Sequence, residues 1–305
     1  MKLDEKSVDT LQQVEVTRLN ERILIKLQAY WELTKSKQTF LLLITGWAGY
    51  RSAGLPVTDW TIMLSMLGSL YLAISGSTVL NMYIDRDIDA RMPRTIERPL
   101  PAKVLRPLEA LTFGLLISLL GIIWAFSLNT LFGLVVMAGL CCHAFVYTSW
   151  LKRQTPFSVI PGGVAGGMPV LAGRVLGTGT IDIIGVLLVL AILMWIPIHI
   201  LTFAMRYAED YKMGQVPTFP SIYGEERTRQ ALVGATILTG VTMMLAIVLN
   251  AVRGPYLLAS ILAVVVLIGF TIYYTDDPSP ERNFTLFKVA SLYMLVSMLI
   301  IGLAG

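Results

Sequence analysis

NMYIDRDIDARMPRTIERPLP, residues 81–101, holds four carboxylates and four arginines, yet residues 60–80 just before it carry no charge at all. A helix needs about 20 mostly apolar residues to cross a bilayer, so the cluster reads as the polar end of a membrane span. Within it Asn81, Asp85 and Asp89 recur every four residues. Each step of four turns an α-helix by about 400°, which stacks the three side chains on one face. Hard oxygen ligands in that arrangement suit Mg²⁺ bridging to the phosphates of a substrate. Spacing alone leaves a second reading open, a solvated helix end whose charges pair with Arg86 and Arg91. Asp87 points elsewhere.

The rest of the chain supports the membrane setting. It is 55% hydrophobic and 14% charged, with a mean hydropathy of +0.68. Soluble domains are nearer a quarter charged, so a polytopic membrane protein is expected. Nine spans can be placed, at roughly 38–54, 59–83, 107–127, 130–149, 157–176, 181–205, 230–250, 255–275 and 285–304. Gly/Pro or charged breaks separate them. The expected fold is therefore all-α, nine transmembrane helices, with cytoplasmic cap loops about 84–106 and 206–229. Residues 1–37 form a polar N-terminal segment ahead of the transmembrane domain, 38–305. In that segment Leu19, Ile23, Leu27 and Trp31 recur every four residues around Arg22 and Lys26, the pattern of a helix lying on the membrane surface. The charged N-terminus has no secretory leader pattern, so insertion through the chain's own spans is expected. Cys141 and Cys142 are adjacent in an apolar run, which excludes a disulfide framework and a CxxC metal pair.

Charge sets the orientation. With nine spans, all but three of the 24 Lys and Arg residues fall on one side; Arg51, Arg174 and Arg253 are the exceptions. Cytoplasmic loops carry the excess of Lys and Arg, so the N-terminus and the acidic cluster are expected inside and the C-terminus outside the cell membrane. Nothing in the sequence suggests a nucleic-acid partner.

A second cluster, RYAEDYKMGQVPTFP at 206–220, follows the sixth span on the same side. If the second and sixth spans face each other, Glu209 and Asp210 join the first acids around one diphosphate. Arg94, Arg98, Lys152 and Arg153 could then neutralise phosphate oxygens. Ordinary interface charges would give the same pattern. His199 lies at membrane depth, where a histidine is a functional candidate; a helix–helix hydrogen bond would account for it as well. His143 reads as structural. Tyr147, Trp150 and Trp195 could turn ring faces to a cation or simply pack. Gly162, Gly163, Gly166 and Gly167 follow no strand, so they read as helix-packing positions and not as a nucleotide loop.

These motifs together resemble the UbiA superfamily of intramembrane prenyltransferases. The N-x-x-x-D-x-x-x-D run with R-T-x-x-R-P-L-P carries the superfamily likeness. YWELTKSKQTFLLL (30–43), VYTSWLKRQTPFSVIPGGVAGGMPVLAG (146–173), WIPIHILTFAMRYAEDYKMGQVPTFP (195–220) and NFTLFKVASLY (283–293) point to its haem-prenylating branch, and together cover most of the chain. The resemblance implies helices around a central cavity capped on the cytoplasmic side, with the prenyl tail entering from lipid. It implies Mg²⁺-dependent transfer of a farnesyl group from farnesyl diphosphate to a vinyl group of haem b, giving haem O; geranylgeranyl diphosphate is a possible longer donor. By motif position Asn81, Asp85, Asp89 and Asp210 become the metal ligands, and Asp85, Asp89, Asp210, Lys152 and Tyr147 the catalytic set. Asn81, Arg94, Arg98, Arg153, Lys212 and His199 become substrate contacts. Haem-modifying or terminal oxidase assembly proteins are the implied associates.

The chain departs from the family pattern in places. Arg206 stands four before Asp210, where many members repeat D-x-x-x-D. The usual Pro-Pro-His-Phe is broken around Pro197 and His199, and Arg174 replaces an aromatic after Gly173. Two other readings remain: a prenyltransferase for a quinone precursor or glycerol lipid, and a transporter with the carboxylates as a cation path. A transporter's carboxylates belong deep in the spans, whereas these sit at span ends beside arginines.

Overall fold

A computed structural model describes residues 20–54 and 60–305. Among these residues every regular element is helical. Helix α1 covers residues 20–33. Then come α2 (Ser36–Arg51), α3 (Trp60–Ile84), the short α4 (Arg86–Asp89), α5 (Pro107–Leu128) and α6 (Thr130–Cys141). They are followed by α7 (Val159–Thr178), α8 (Ile183–Arg206), the short α9 (Ala208–Met213), α10 (Phe219–Leu249), α11 (Pro255–Asp276) and α12 (Pro280–Ala304).

The expected spans coincide with α2, α3, α5, α6 with its continuation, α7, α8, α10, α11 and α12. Eight of these are long and apolar enough to cross a membrane. The ninth, α2, has 16 residues, bounded by Lys35 and Arg51, and is shorter than the usual ~20. It is held by contact with α7: a Cβ on Gly49 would fall 1.9 Å from the Val170 carbonyl oxygen, and one on Gly173 1.9 Å from that of Gly46. Only glycine lets two backbones meet so closely. The chain is a multi-pass membrane protein.

Packing follows the inside-out logic of a bilayer. One buried cluster around Ile198, Leu232, Met243, Leu267 and Leu286 joins α8, α10, α11 and α12. Another, around Met66, Phe132, Val135 and Ala172, joins α3, α6 and α7. Apolar side chains such as Leu116, Leu258 and Leu262 stand outward, where lipid takes the place of water. Helix α1 buries Ala29 and Leu33 against Leu105 and Val79 and exposes Ile23, Leu27 and Trp31, with Lys26 paired to Glu109 at 2.7 Å. Leu19, the first residue of that expected stripe, lies outside the described residues.

Three local features shape the end of the bundle that carries the two acidic clusters. The backbone leaves helical geometry at Asp85 (φ −84°, ψ 1°) and resumes in α4. Residues Cys142–Trp150 form a wider π-helical segment after α6, a rare conformation that often marks functional positions. Gly224, at φ 80°, breaks α10 near its start, a turn glycine makes without steric cost.

Candidate active site

The first acidic face is buried: Asn81, Asp85 and Asp89 are 7%, 2% and 4% exposed. Despite the break at Asp85, the backbone amide of Asp85 still donates to Asn81 at 2.9 Å, and that of Asp89 to Asp85 at 2.8 Å. One face therefore survives the kink. Asn81 Nδ2 donates to Asp85 Oδ2 at 2.9 Å and to Thr148 Oγ1, on the π segment, at 3.1 Å. The Lys152 ammonium pairs with the same Asp85 oxygen. Asp89 takes Arg98 at 2.8 Å, and Asp210 faces Arg94 at 3.5 Å. Arg94 in turn lies over the rings of Phe203 and Tyr207, 5.1 and 5.2 Å from their centroids.

Each acid thus holds its own cation, and among the described residues no three carboxylate, His or Cys side chains form a ready-made metal cage. A magnesium ion does not require one, since it keeps several waters and binds through one or two carboxylates plus substrate phosphates. The observation that fits it is an orphan: Asp85 Oδ1 is buried with no hydrogen-bond partner, and Asp210 Oδ2 likewise accepts no hydrogen bond. A buried carboxylate oxygen left unpaired costs free energy. A cation arriving with a diphosphate would satisfy it.

Lys35 was missing from the residues singled out by spacing. It sits at the turn between α1 and α2 with φ 46°, ψ 47°, a left-handed conformation that costs a non-glycine residue about 1 kcal/mol. The turn aims its Nζ at Asn81 Oδ1, 3.2 Å away. Removal from water, then the charges of Arg98 and Lys152, lower its pKa to about 8 against the pull of Asp85 and Asp89. A positive φ cannot be read from a lysine flanked by Thr and Ser. The only trace in the sequence was its place in the TKSKQTF stretch.

The remaining named residues divide by position. Tyr147, Lys152 and His199 line one cavity of about 440 Å³, together with Trp195 and Tyr211. His199 is stacked between Trp195 and Phe287, with centroids 4.9 and 4.5 Å away, and its Nδ1 is 3.0 Å from Ser291 Oγ. Its other ring nitrogen is left for the cavity. Arg153 pairs with Asp87 at 2.7 Å on the exposed side, holding that carboxyl below the usual range. Lys212 and Glu209 are exposed and do not line the cavity. Trp150 is exposed as well. His143, read as structural from sequence, bonds Ser77 Oγ at 2.7 Å and also lines the cavity wall. The glycine run packs α7 on α8, with Gly163 against Leu193 and Gly167 against Val189; Gly162 and Gly166 face the cavity too.

Fold and site together define a membrane protein that presents acids and cations to a diphosphate over an apolar chamber. The UbiA prenyltransferase family model matches residues 42–297, and the chain belongs to that family. Its similarity is to the protohaem IX farnesyltransferases of Korarchaeum cryptofilum, 36% identical over 92% of this chain and 95% of that one, and of Archaeoglobus fulgidus, 40% identical over 88% and 94%. Among solved structures, a digeranylgeranylglyceryl phosphate synthase superposes with a TM-score of 0.76 at 21% identity, over 92% of this chain and 98% of that one. A UbiA homologue from Archaeoglobus fulgidus bound to GPP and Mg²⁺ gives 0.67 at 18% identity, over 90% and 99%. These two share the fold.

Proposed function

We infer that the protein transfers a farnesyl group from farnesyl diphosphate to a vinyl group of haem b in a Mg²⁺-dependent reaction. The observation that carries this reading is the 440 Å³ cavity running from Lys152, partner of the half-satisfied Asp85, to His199 between its two aromatic rings. One end suits a diphosphate and the other a flat metallated macrocycle. The named similarity to protohaem IX farnesyltransferases supports the same substrates.

In the reaction the C1–O bond of the donor breaks with its electron pair leaving on diphosphate. The allylic C1 bonds to the terminal vinyl carbon of haem, and the resulting cation, stabilised by the porphyrin, takes up water and releases a proton. Asn81, Asp85 and Asp210 would hold Mg²⁺, which when bound would supply charge neutralisation to the leaving diphosphate. Lys35, Arg94, Arg98 and Lys152 meet the remaining phosphate oxygens, preorganised charges aimed where the transition state becomes negative. Asp89 orients Arg98. Tyr147 and Trp195 face the cavity where cationic carbon passes, and the apolar walls keep bulk water from quenching it. His199 offers its free nitrogen to iron. In this reading residues 38–305 are the catalytic domain, with the N-terminus and active site on the cytoplasmic side of the cell membrane. The product passes to haem-modifying or terminal oxidase assembly proteins within the bilayer.

Mass spectrometry of the product tests the reading. Purified protein in detergent receives Mg²⁺, haem b, farnesyl diphosphate and 4-hydroxybenzoate as a competing acceptor. A haem heavier by one farnesyl and one hydroxyl group, the proton of the captured water having been released, is the expected result. Prenylated 4-hydroxybenzoate with unchanged haem would overturn the acceptor and leave the fold and diphosphate site standing. His199→Ala is expected to weaken haem binding, read by its absorption spectrum.

A further inference from the structure

The π segment is fastened to α3 at two points one turn apart. His143 Nδ1 is 2.7 Å from Ser77 Oγ, and Thr148 Oγ1 accepts from Asn81 Nδ2 at 3.1 Å. Between these points α3 advances by four residues and the π segment by five. Two α-helices would match four residues with four and bring Tyr147 beside Asn81. The i→i+5 pairing of a π-helix supplies the extra residue. Both side chains then find a place: Tyr147 lines the large cavity, and Thr148, which is buried, meets Asn81.

Thr148 reaches Asn81 able only to accept. A hydroxyl has one proton and two lone pairs, and this proton goes to the His143 carbonyl at 2.7 Å, five residues back. The lone pairs are left for the Asn81 amide, which must turn its NH2 toward them. That NH2 also donates to Asp85 Oδ2 at 2.9 Å. The carbonyl oxygen faces the Lys35 ammonium at 3.2 Å, and an amide ligates a hard cation only through that oxygen. Lys35 and Asp85 favour the same orientation, yet both are charged groups on which a diphosphate and a metal make their own demands. Thr148 is the uncharged partner of the three, and its bond need not change when substrate binds.

We propose that Thr148 is a positioning residue of the reaction. Its hydroxyl, presented by the π turn with its proton already committed, keeps the Asn81 carbonyl oxygen turned toward an incoming cation. This role rests on the Mg²⁺–diphosphate reading above and adds to it a residue that touches neither metal nor substrate. It also gives the π segment a purpose, since a plain α-helix there would present Tyr147 in place of the acceptor.

The test reads binding in place of turnover. Full-length protein in detergent is given radiolabelled farnesyl thiolodiphosphate, whose C1–S bond resists ionisation, and retention of the label is followed as Mg²⁺ is titrated. Thr148→Val removes the hydroxyl and keeps the shape. It is expected to raise the Mg²⁺ concentration for half-saturation at least about tenfold, the usual scale for losing a group that orients a metal ligand. Thr148→Ser keeps the hydroxyl and is expected to stay near the parent value, a rescue that a packing role for the methyl group would not give. An unchanged half-saturation point for Thr148→Val, or an equal rise for Thr148→Ser, overturns the proposal; Thr148→Ala takes the place of the valine variant if that does not fold. Asp85→Ala, measured alongside, separates the two readings. If it raises the half-saturation point where Thr148→Val does not, Thr148 alone is removed. If neither variant moves it, the Mg²⁺–diphosphate reading falls and the role of Thr148 with it.

Discussion

Two charged clusters stand at opposite ends of the helices, and they are finished to different degrees. At the far end, Arg174 is 5% exposed and uses its whole fork. It binds Asp182 through Nε at 2.8 and 2.9 Å and through a terminal nitrogen at 2.6 Å. Its other nitrogen donates to the Ser52 carbonyl at 2.7 Å, Ser52 Oγ at 2.9 Å and Asn250 Oδ1 at 3.1 Å. Asp182 also caps α8 by accepting from Gly185 N at 2.8 Å. All three guanidinium nitrogens are engaged, and four elements are tied together. At the near end, Asp85 shares one oxygen between Lys152 and Asn81 and leaves the other empty. Burial, and after it the nearby charges of Arg98 and Lys152, depress the Lys35 pKa. A saturated cluster holds a fold; an unsaturated one, with cations in excess of hydrogen-bonded acceptors, waits for an anion and a metal.

The largest break in this comparison is Asp85→Ala. It removes the half-satisfied carboxylate and is expected to cut turnover by about 10²–10³, the usual cost of losing one preorganised charge at a leaving group. Loss of the carboxylate also leaves the Lys152 ammonium without its buried partner, so a lowered unfolding temperature is expected beside the loss of turnover per folded molecule. Steady-state rates and a melting curve on the same preparation check both halves. Near-normal turnover would remove Asp85 from the diphosphate site.

The converse is Arg174→Met. It leaves Asp182 without its partner and takes donors from Ser52 and Asn250, a loss expected to cost about 2 kcal/mol. Full breakage of a buried pair costs about 3–5, but Asp182 is 30% exposed and water can reach it. A lowered unfolding temperature with unchanged turnover per folded molecule is the expected result. A selective loss of turnover would mean the far cluster also acts on the site.

How much of this was legible beforehand follows from period and composition. Spans were readable because a bilayer demands a run of apolar residues near 20 long, and the matched helices keep close to the expected bounds, except that α10 and α12 begin earlier, at Phe219 and Pro280, and α6 gives way to the π segment at Cys142. The Asn81–Asp85–Asp89 face was readable because spacing by four survives a mild kink. Which cation meets which acid was not: Arg98 to Asp89, Lys152 to Asp85 and Arg94 to Asp210 join residues from different segments, set by how α3, α8 and the π segment pack. The far cluster was legible only as an oddity, Arg174 in an aromatic's place. Its meaning needed Asp182, Ser52 and Asn250 brought beside it. Lys35 was hidden because its placement depends on a left-handed turn that no residue type announces.

Lys35 gives a smaller effect with a pH signature. An ordinary lysine keeps its charge to about 10.5, whereas this one titrates at about 8. Its charge is present below pH 8, so donor affinity should be full there and fall as pH rises through 8; above it, binding a diphosphate takes up a proton. The stability sign is opposite. Holding the ammonium in its low-polarity site costs stability below pH 8, and that cost is relieved between 8 and 10.5, where the unfolded chain binds the extra proton. Lys35→Met should weaken donor binding by about tenfold at neutral pH, the scale of one charge-assisted hydrogen bond. It should also flatten the alkaline limb of the KM profile. A limb unchanged by the substitution would assign it to another group.

Arg153 sharpens the comparison at its weakest point. It stands next to Lys152 in sequence, yet its guanidinium turns to the outside, where it bonds Asp87 at 2.7 and 2.8 Å and the Ile84 carbonyl at 2.8 Å. Both partners are well exposed, and exposed pairs contribute about 0–1 kcal/mol. A charge engaged in this way has little left for a diphosphate, while Lys152 faces Asp85 inside. Arg153→Met should therefore change donor KM by less than about threefold, against a far larger loss for Lys152→Met. Equal losses from the two would mean that Arg153 swings inward when the diphosphate binds, and would move it from the solvated rim into the site.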